Sequence, residues 1–157
     1  MLPAAFLNWR LQYDPAATSS AYAEMPPLDE DCCNACATWA TVIERGVLDG
    51  KVSAFLQGAG VDLRKPSEVW GAPDGGFLAG WYLIVGRLDS AAWKGEAEGA
   101  FEELNPGLKC WLAAATAVPA EPFAHLELVQ LEFTWESEIL KDLERVAWPR
   151  SAGGRGA

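Results

Sequence analysis

The chain has 157 residues, half of them apolar, with 12 Lys and Arg against 22 Asp and Glu, which gives a formal net charge of -10 and a pI near 4.5. That size and apolar content suit one domain with a real core. The acid excess argues against nucleic acid or an anionic membrane surface as a partner, because phosphate-rich surfaces are held mainly by Lys and Arg.

The first residues, MLPAAFLNWRLQYDP, carry no basic n-region, and their apolar piece is broken by Pro3, Asn8 and Arg10, so they do not read as a signal peptide. No apolar run approaches the roughly 18–20 residues needed to span a bilayer. A cytoplasmic protein is expected, with its four cysteines as thiols or metal ligands in preference to disulfides. One domain over residues 1–150 is expected, followed by a disordered tail over 151–157, SAGGRGA.

In chain order, Leu7, Trp9 and Leu11 alternate with Asn8, Arg10 and Gln12, the period of a half-buried strand over Phe6 to Tyr13. Asp14-Pro15 ends it, and AATSSAYAEMPPLDED, with neither periodicity, reads as an exposed loop. A helix follows from about Cys32 to Arg45, with Asp31 as N-cap, Gly46 as stop, and Cys32, Cys36, Trp39 and Ile43 on one face. A second helix, about Gly50 to Gln57, turns Val52, Phe55 and Leu56 inward. From Val61 to Gly76, Pro66, Pro73 and Gly75-Gly76 predict turns, with one short helical turn after Pro66.

LAGWYLIVGR, Leu78 to Arg87, is continuously apolar and predicts a central strand. Leu108 to Val118 and His125 to Trp135 are two more strand candidates. In the latter, Val129, Leu131, Phe133 and Trp135 face one side while Gln130, Glu132, Thr134 and Glu136 face the other, as in a sheet with one wet face. Trp93 to Leu104 fits a helix or a loop equally. Leu140, Leu143 and Val146 space a short helix from Ile139 that stops before Pro149. Together these elements predict an α+β fold, about four antiparallel strands packed by two or three helices.

Chemistry concentrates in DEDCCNACATWATVIER, Asp29 to Arg45. Cys33 and Cys36 form a Cys-x-x-Cys that could supply half of a tetrahedral zinc site, with Cys110 and the sole histidine, His125, completing a structural four-ligand set. The same pair could exchange thiols with disulfides, since a helix start favours a thiolate and a second thiol lies three residues on. Asp29, Glu30 and Asp31 oppose that reading, as does the lack of a βαβ pattern around the motif. The plainer account treats Cys32 and Cys36 as small buried hydrophobes beside Trp39, with the acids offsetting the positive helix end. On that account no cofactor is needed.

No catalytic constellation is visible. His125 has no diagnostic nucleophile motif near any Ser or Cys, and Glu127, Glu132, Glu136 and Glu138 read as solvated surface. Gly75-Gly76 and Gly58-Ala59-Gly60 lack the pattern of a phosphate loop. Of eight tryptophans, Trp39 and Trp81 belong to apolar stripes and read as core, while Trp70, Trp93 and Trp148 lie near turn signals and read as exposed.

The order of a Cys-x-x-Cys helix, then GVDLRKPSEVW, then GWYLIVG resembles a group of short uncharacterised bacterial proteins with a Cys-x-x-Cys helix, a Gly-Ile/Val-Asp…Lys-Pro-x-Glu turn and a Gly-aromatic strand. The resemblance runs from about Cys33 to Gly86, on Cys33, Cys36, Gly60, Asp62, Lys65, Pro66, Glu68, Gly80 and Trp81, and it implies a compact bacterial domain with no assigned ligand or catalytic residue. The functional expectation is non-enzymatic: a small acidic module that binds and masks a basic protein, in the manner of an immunity protein. Asp29, Glu30 and Asp31 would steer the partner, and indoles such as Trp70 and Trp93 would hold it.

Overall fold

A computed structural model of the chain describes residues 1–29, 31–89, 105–115 and 119–143. The undecided segment from Trp93, the expected tail, Glu30, Trp148 and the last residues of the strand expected to reach Val118 lie outside these.

The described residues form an α+β fold: three helices and a six-stranded antiparallel sheet, two strands more than the alternation suggested. The first expected strand is a hairpin, β1 (Leu2–Phe6) and β2 (Trp9–Tyr13), turned at Leu7, whose φ of 53° is left-handed although it is not glycine. The expected loop after it is helix α1 (Pro15–Glu24), with the Asp14 side chain capping Ala17 N and Pro15 in the first turn. Periodicity missed α1 because it has almost no apolar stripe.

Helix α2 (Asn34–Glu44) is capped by Cys33, two residues after the Asp31 that was expected to do so. Helix α3 (Gly50–Gly58) starts at the Asp49 cap. The segment after Pro66 is a strand, β3 (Glu68–Gly71), where a helical turn was expected; it pairs with the following strand β4 (Phe77–Leu88). The last two strands are β5 (Leu108–Ala114) and β6 (Leu128–Glu136). His125 precedes β6 in left-handed backbone at φ 67°, so the strand begins three residues later than its apolar pattern implied. Where a helix was expected from Ile139, the described residues form a single 3₁₀ turn, Glu138–Leu140, and Val146 lies outside them.

Strand order is β1-β2-β4-β6-β5. Strand β3 shares one edge of β4 with β2, taking Leu78 to Trp81, while β2 takes Gly86 to Leu88. Between them β4 has an unpaired stretch of edge, which α1 fills with side chains. Tyr22 Oη bonds both Leu83 O and Leu83 N, Thr18 Oγ1 accepts from Val85 N, and Asp14 N donates to Val85 O. Backbone groups left bare inside a protein are costly, which is why this short polar helix docks there.

The expected β6 faces are observed. Val129, Leu131, Phe133 and Trp135 are buried and pair with Ile84, Tyr82, Gly80 and Leu78 of β4 and with Ala114, Leu112, Cys110 and Leu108 of β5. Trp39 of α2 packs on this face, stacked on Phe133 at 4.3 Å, with its indole N–H donated to Tyr82 Oη at 2.8 Å; Tyr82 in turn donates to Leu63 O. Gly80 makes the stack possible, because a Cβ there would collide with Glu68 O and the Phe133 ring.

Candidate functional site

Two groups of residues at the margin of this core carry chemistry. The first is the start of α2. Asp29 accepts from Asp31 N through its side chain and from Cys32 N through its carbonyl, so the acids build a turn that delivers Cys33 to the N-cap. There Cys33 Sγ accepts from Cys36 N at 3.3 Å, the place usually taken by a Ser, Thr, Asp or Asn oxygen. Cys36, one turn on, is buried, and the two sulfurs touch at 3.1 Å.

The two thiols differ in chemistry because they differ in surroundings. Slight burial works against a thiolate at Cys33, but hydrogen bonds from the Cys36 amide and thiol, the Ala35 amide and the Cys32 thiol together lower its pKa. For Cys36, burial first and then its bond and charge coupling to Cys33 push the value up to about 12. The pair is therefore an exposed thiolate candidate beside a protonated partner.

The four-ligand zinc set is not assembled. Cys110 lies on β5, fully buried against Trp39 and Tyr82, and burial raises its pKa; His125 is exposed in the loop before β6. Among the described residues no three or more His, Cys, Asp or Glu side chains converge as metal ligands would.

The second group lies on the opposite face of the sheet from Trp39. There the register places Trp81 of β4, Glu132 of β6 and Trp111 of β5 in one row across three strands. Trp70 of β3, 45% exposed, meets Trp81 edge to face at 5.5 Å. Trp81, read as core, is half-buried: it packs against the core but lies on the face opposite Trp39, where part of its surface stays accessible. Trp70 is exposed as expected, and Trp93 lies outside the described residues.

Glu132 is half-buried between the two indoles. Desolvation raises its pKa above the ordinary carboxyl value, opposed by hydrogen bonds from Trp111 and from Gln130 Nε2, the latter at 2.9 Å. No described Lys or Arg forms an ion pair with it. Beside it opens a cleft of about 400 Å³ floored by Trp81, Leu83 and Gln130 and walled by Met25, Pro122 and Phe123. Strand alternation alone places Glu132 on a solvated surface with Glu136. The cross-strand pairing that puts tryptophans on both sides of it is visible only once the register is known.

Three residues of the expected resemblance, Gly60, Asp62 and Lys65, serve the scaffold. Lys65 Nζ holds Tyr22 O at 2.7 Å, Asp62 closes the turn by accepting from Arg64 N, and Gly60, at φ 86°, leaves no room for a Cβ against Pro15 O. No described helix is long and apolar enough to cross a membrane. Comparison with family models, curated proteins and solved structures returns no match for this chain.

Proposed function

We propose that the protein is a binding module for a basic protein segment, and that a Lys or Arg side chain of the partner seats between Trp81 and Trp111 on the Glu132 carboxylate. The observation that carries this reading is the row Trp81, Glu132, Trp111, in which a half-buried carboxylate without a described cationic partner stands between two indoles. A cation there gains an ion pair in a partly desolvated setting and cation–π attraction from the rings, each ring contributing about 0.5–2 kcal/mol.

Trp70 widens the apolar platform, the neighbouring cleft offers room for a second side chain, and the net charge of -10 speeds approach of a basic partner. The biological form proposed is masking, as an immunity protein of a bacterial cytoplasm masks a basic toxin or nuclease. Asp29 and Asp31 are turn formers at α2, so Glu132 takes over the central acidic role, with the surface acids left to steering.

The test is titration of the full chain with an arginine-rich peptide, read by tryptophan fluorescence at two salt concentrations, with an acidic peptide as control. Saturable, salt-weakened binding that falls about tenfold or more in Glu132→Gln is expected, given roughly 1.5–3 kcal/mol for a charge-assisted bond. Equal binding by wild type and Glu132→Gln would sink the assignment.

A further inference from the structure

We propose that Cys33 and Cys36 are a thiol–disulfide exchange pair acting on an accessible disulfide, with Cys33 as the attacking sulfur and Cys36 as the resolving one. This activity is independent of the aromatic face and would survive its failure.

The geometry divides the roles. Cys33 is exposed, so an incoming disulfide can reach its sulfur, and that sulfur is held by an amide at the start of an 11-residue helix, where negative charge is favoured. Cys36 is only 6% exposed and cannot meet a substrate first, yet its sulfur lies 3.1 Å from that of Cys33. Packing explains a buried Cys36 and a buried Cys110. It does not explain why an exposed cap position holds sulfur in place of a stronger oxygen acceptor.

Neither remaining cysteine is placed to resolve as Cys36 is. Cys110 is enclosed in the core on β5. Cys32 is exposed, but consecutive Cα atoms are about 3.8 Å apart, short of the roughly 4.4–6.8 Å that a disulfide spans.

The Cys33 thiolate attacks one sulfur of the substrate disulfide. A bond forms between them, the substrate S–S bond breaks, and the departing sulfur leaves with the electron pair and takes a proton from solvent. Cys36 then gives up its proton and attacks Cys33 Sγ, breaking the mixed disulfide and releasing the second substrate thiolate, which is protonated in turn. Cys33 and Cys36 are oxidised by two electrons, and the substrate disulfide is reduced to two thiols.

The experiment equilibrates the reduced full chain with glutathione disulfide, quenches with acid, and maps modified peptides by mass. In wild type, a Cys33–Cys36 disulfide without retained glutathione is expected. Cys36→Ser should trap one glutathione on Cys33, and Cys33→Ser should be modified about tenfold more slowly than Cys36→Ser, since the favoured thiolate is gone. A wild-type chain that keeps all four thiols, a trapped glutathione on Cys32, or equal rates in the two variants would overturn the proposal. Cys36→Ala serves as a second trap if serine is not tolerated in the buried position, and the wild-type arm needs no variant. Insulin as a second probe separates sources: exchange with glutathione disulfide alone marks a small-molecule substrate, and exchange with both extends it to protein disulfides.

Discussion

Tyr22 and Leu83 meet at one oxygen: the Tyr22 hydroxyl donates to the Leu83 carbonyl and accepts from the Leu83 amide, each at 3.0 Å. A helix side chain thus substitutes for a neighbouring strand on the stretch of β4 that neither β2 nor β3 reaches. Tyr22→Phe keeps the ring, including its edge contact with Phe123 at 5.3 Å, and removes only the oxygen. Leaving two buried backbone groups unpaired should cost about 2–4 kcal/mol, measured as a lower urea midpoint with an unchanged slope. A midpoint equal to wild type would show that the edge is satisfied without α1.

Asn105 performs a similar task at the junction of α2 and α3. It is fully buried, its amide donates to Val47 O at 2.6 Å, and its side-chain carbonyl accepts from Asp49 N. Asn105→Ala should destabilise by about 2–4 kcal/mol, because Asp49 N loses a buried bond and Val47 O a part-buried one. Thermal unfolding checks it, and a change under 1 °C would contradict the assignment.

Gly80→Ala tests the central stack. Its added methyl would press on Glu68 O and on Phe133, which carries Trp39. Overpacking of this kind costs about 1–3 kcal/mol, and the near-ultraviolet circular dichroism of the Trp39–Phe133 pair should change with it. An unchanged spectrum at wild-type stability would mean that the strands part easily at this point.

Glu132 should trade stability for binding. Its folded pKa lies above the ordinary value of 4.5, so the native state keeps the proton longer than the unfolded chain does. Its contribution is fullest below that ordinary value and declines as pH rises through the raised one. Glu132→Gln should therefore be as stable as wild type or more so at pH 7, with any gain vanishing in acid, while binding of a cationic peptide weakens. Urea unfolding at pH 4 and pH 7 measures this, and a variant less stable at pH 7 than at pH 4 relative to wild type would refute it.

Alkylation should rank the cysteines. Cys33, with its pKa lowered, should react with iodoacetamide with a midpoint below the ordinary thiol value of 9.0, whereas Cys36 and Cys110 should react only after denaturation. Peptide mapping across pH 6 to 10 reads each site, and a Cys33 midpoint at or above 9.0 would remove the asymmetry of the pair.

Local pattern alone determined the fold class, helices α2 and α3, the inner face of β6, the central strand β4 and the burial of Trp39, because side-chain periodicity and caps are properties of neighbouring residues. Asp14 before Pro15 was a further local signal, an N-cap with proline in the first turn, that announces α1 even without an apolar stripe. Tertiary structure decided what depends on partners far along the chain. Leu7 turns the first hairpin without a glycine, and Thr18 and Tyr22 complete an edge more than sixty residues away. Trp81 and Trp111 come to flank Glu132 because antiparallel pairing sets register, and register joins residues that no sequence window contains. The Cys-x-x-Cys spacing was legible, but the exposure of one sulfur and the burial of the other were settled by how α2 lies against the sheet.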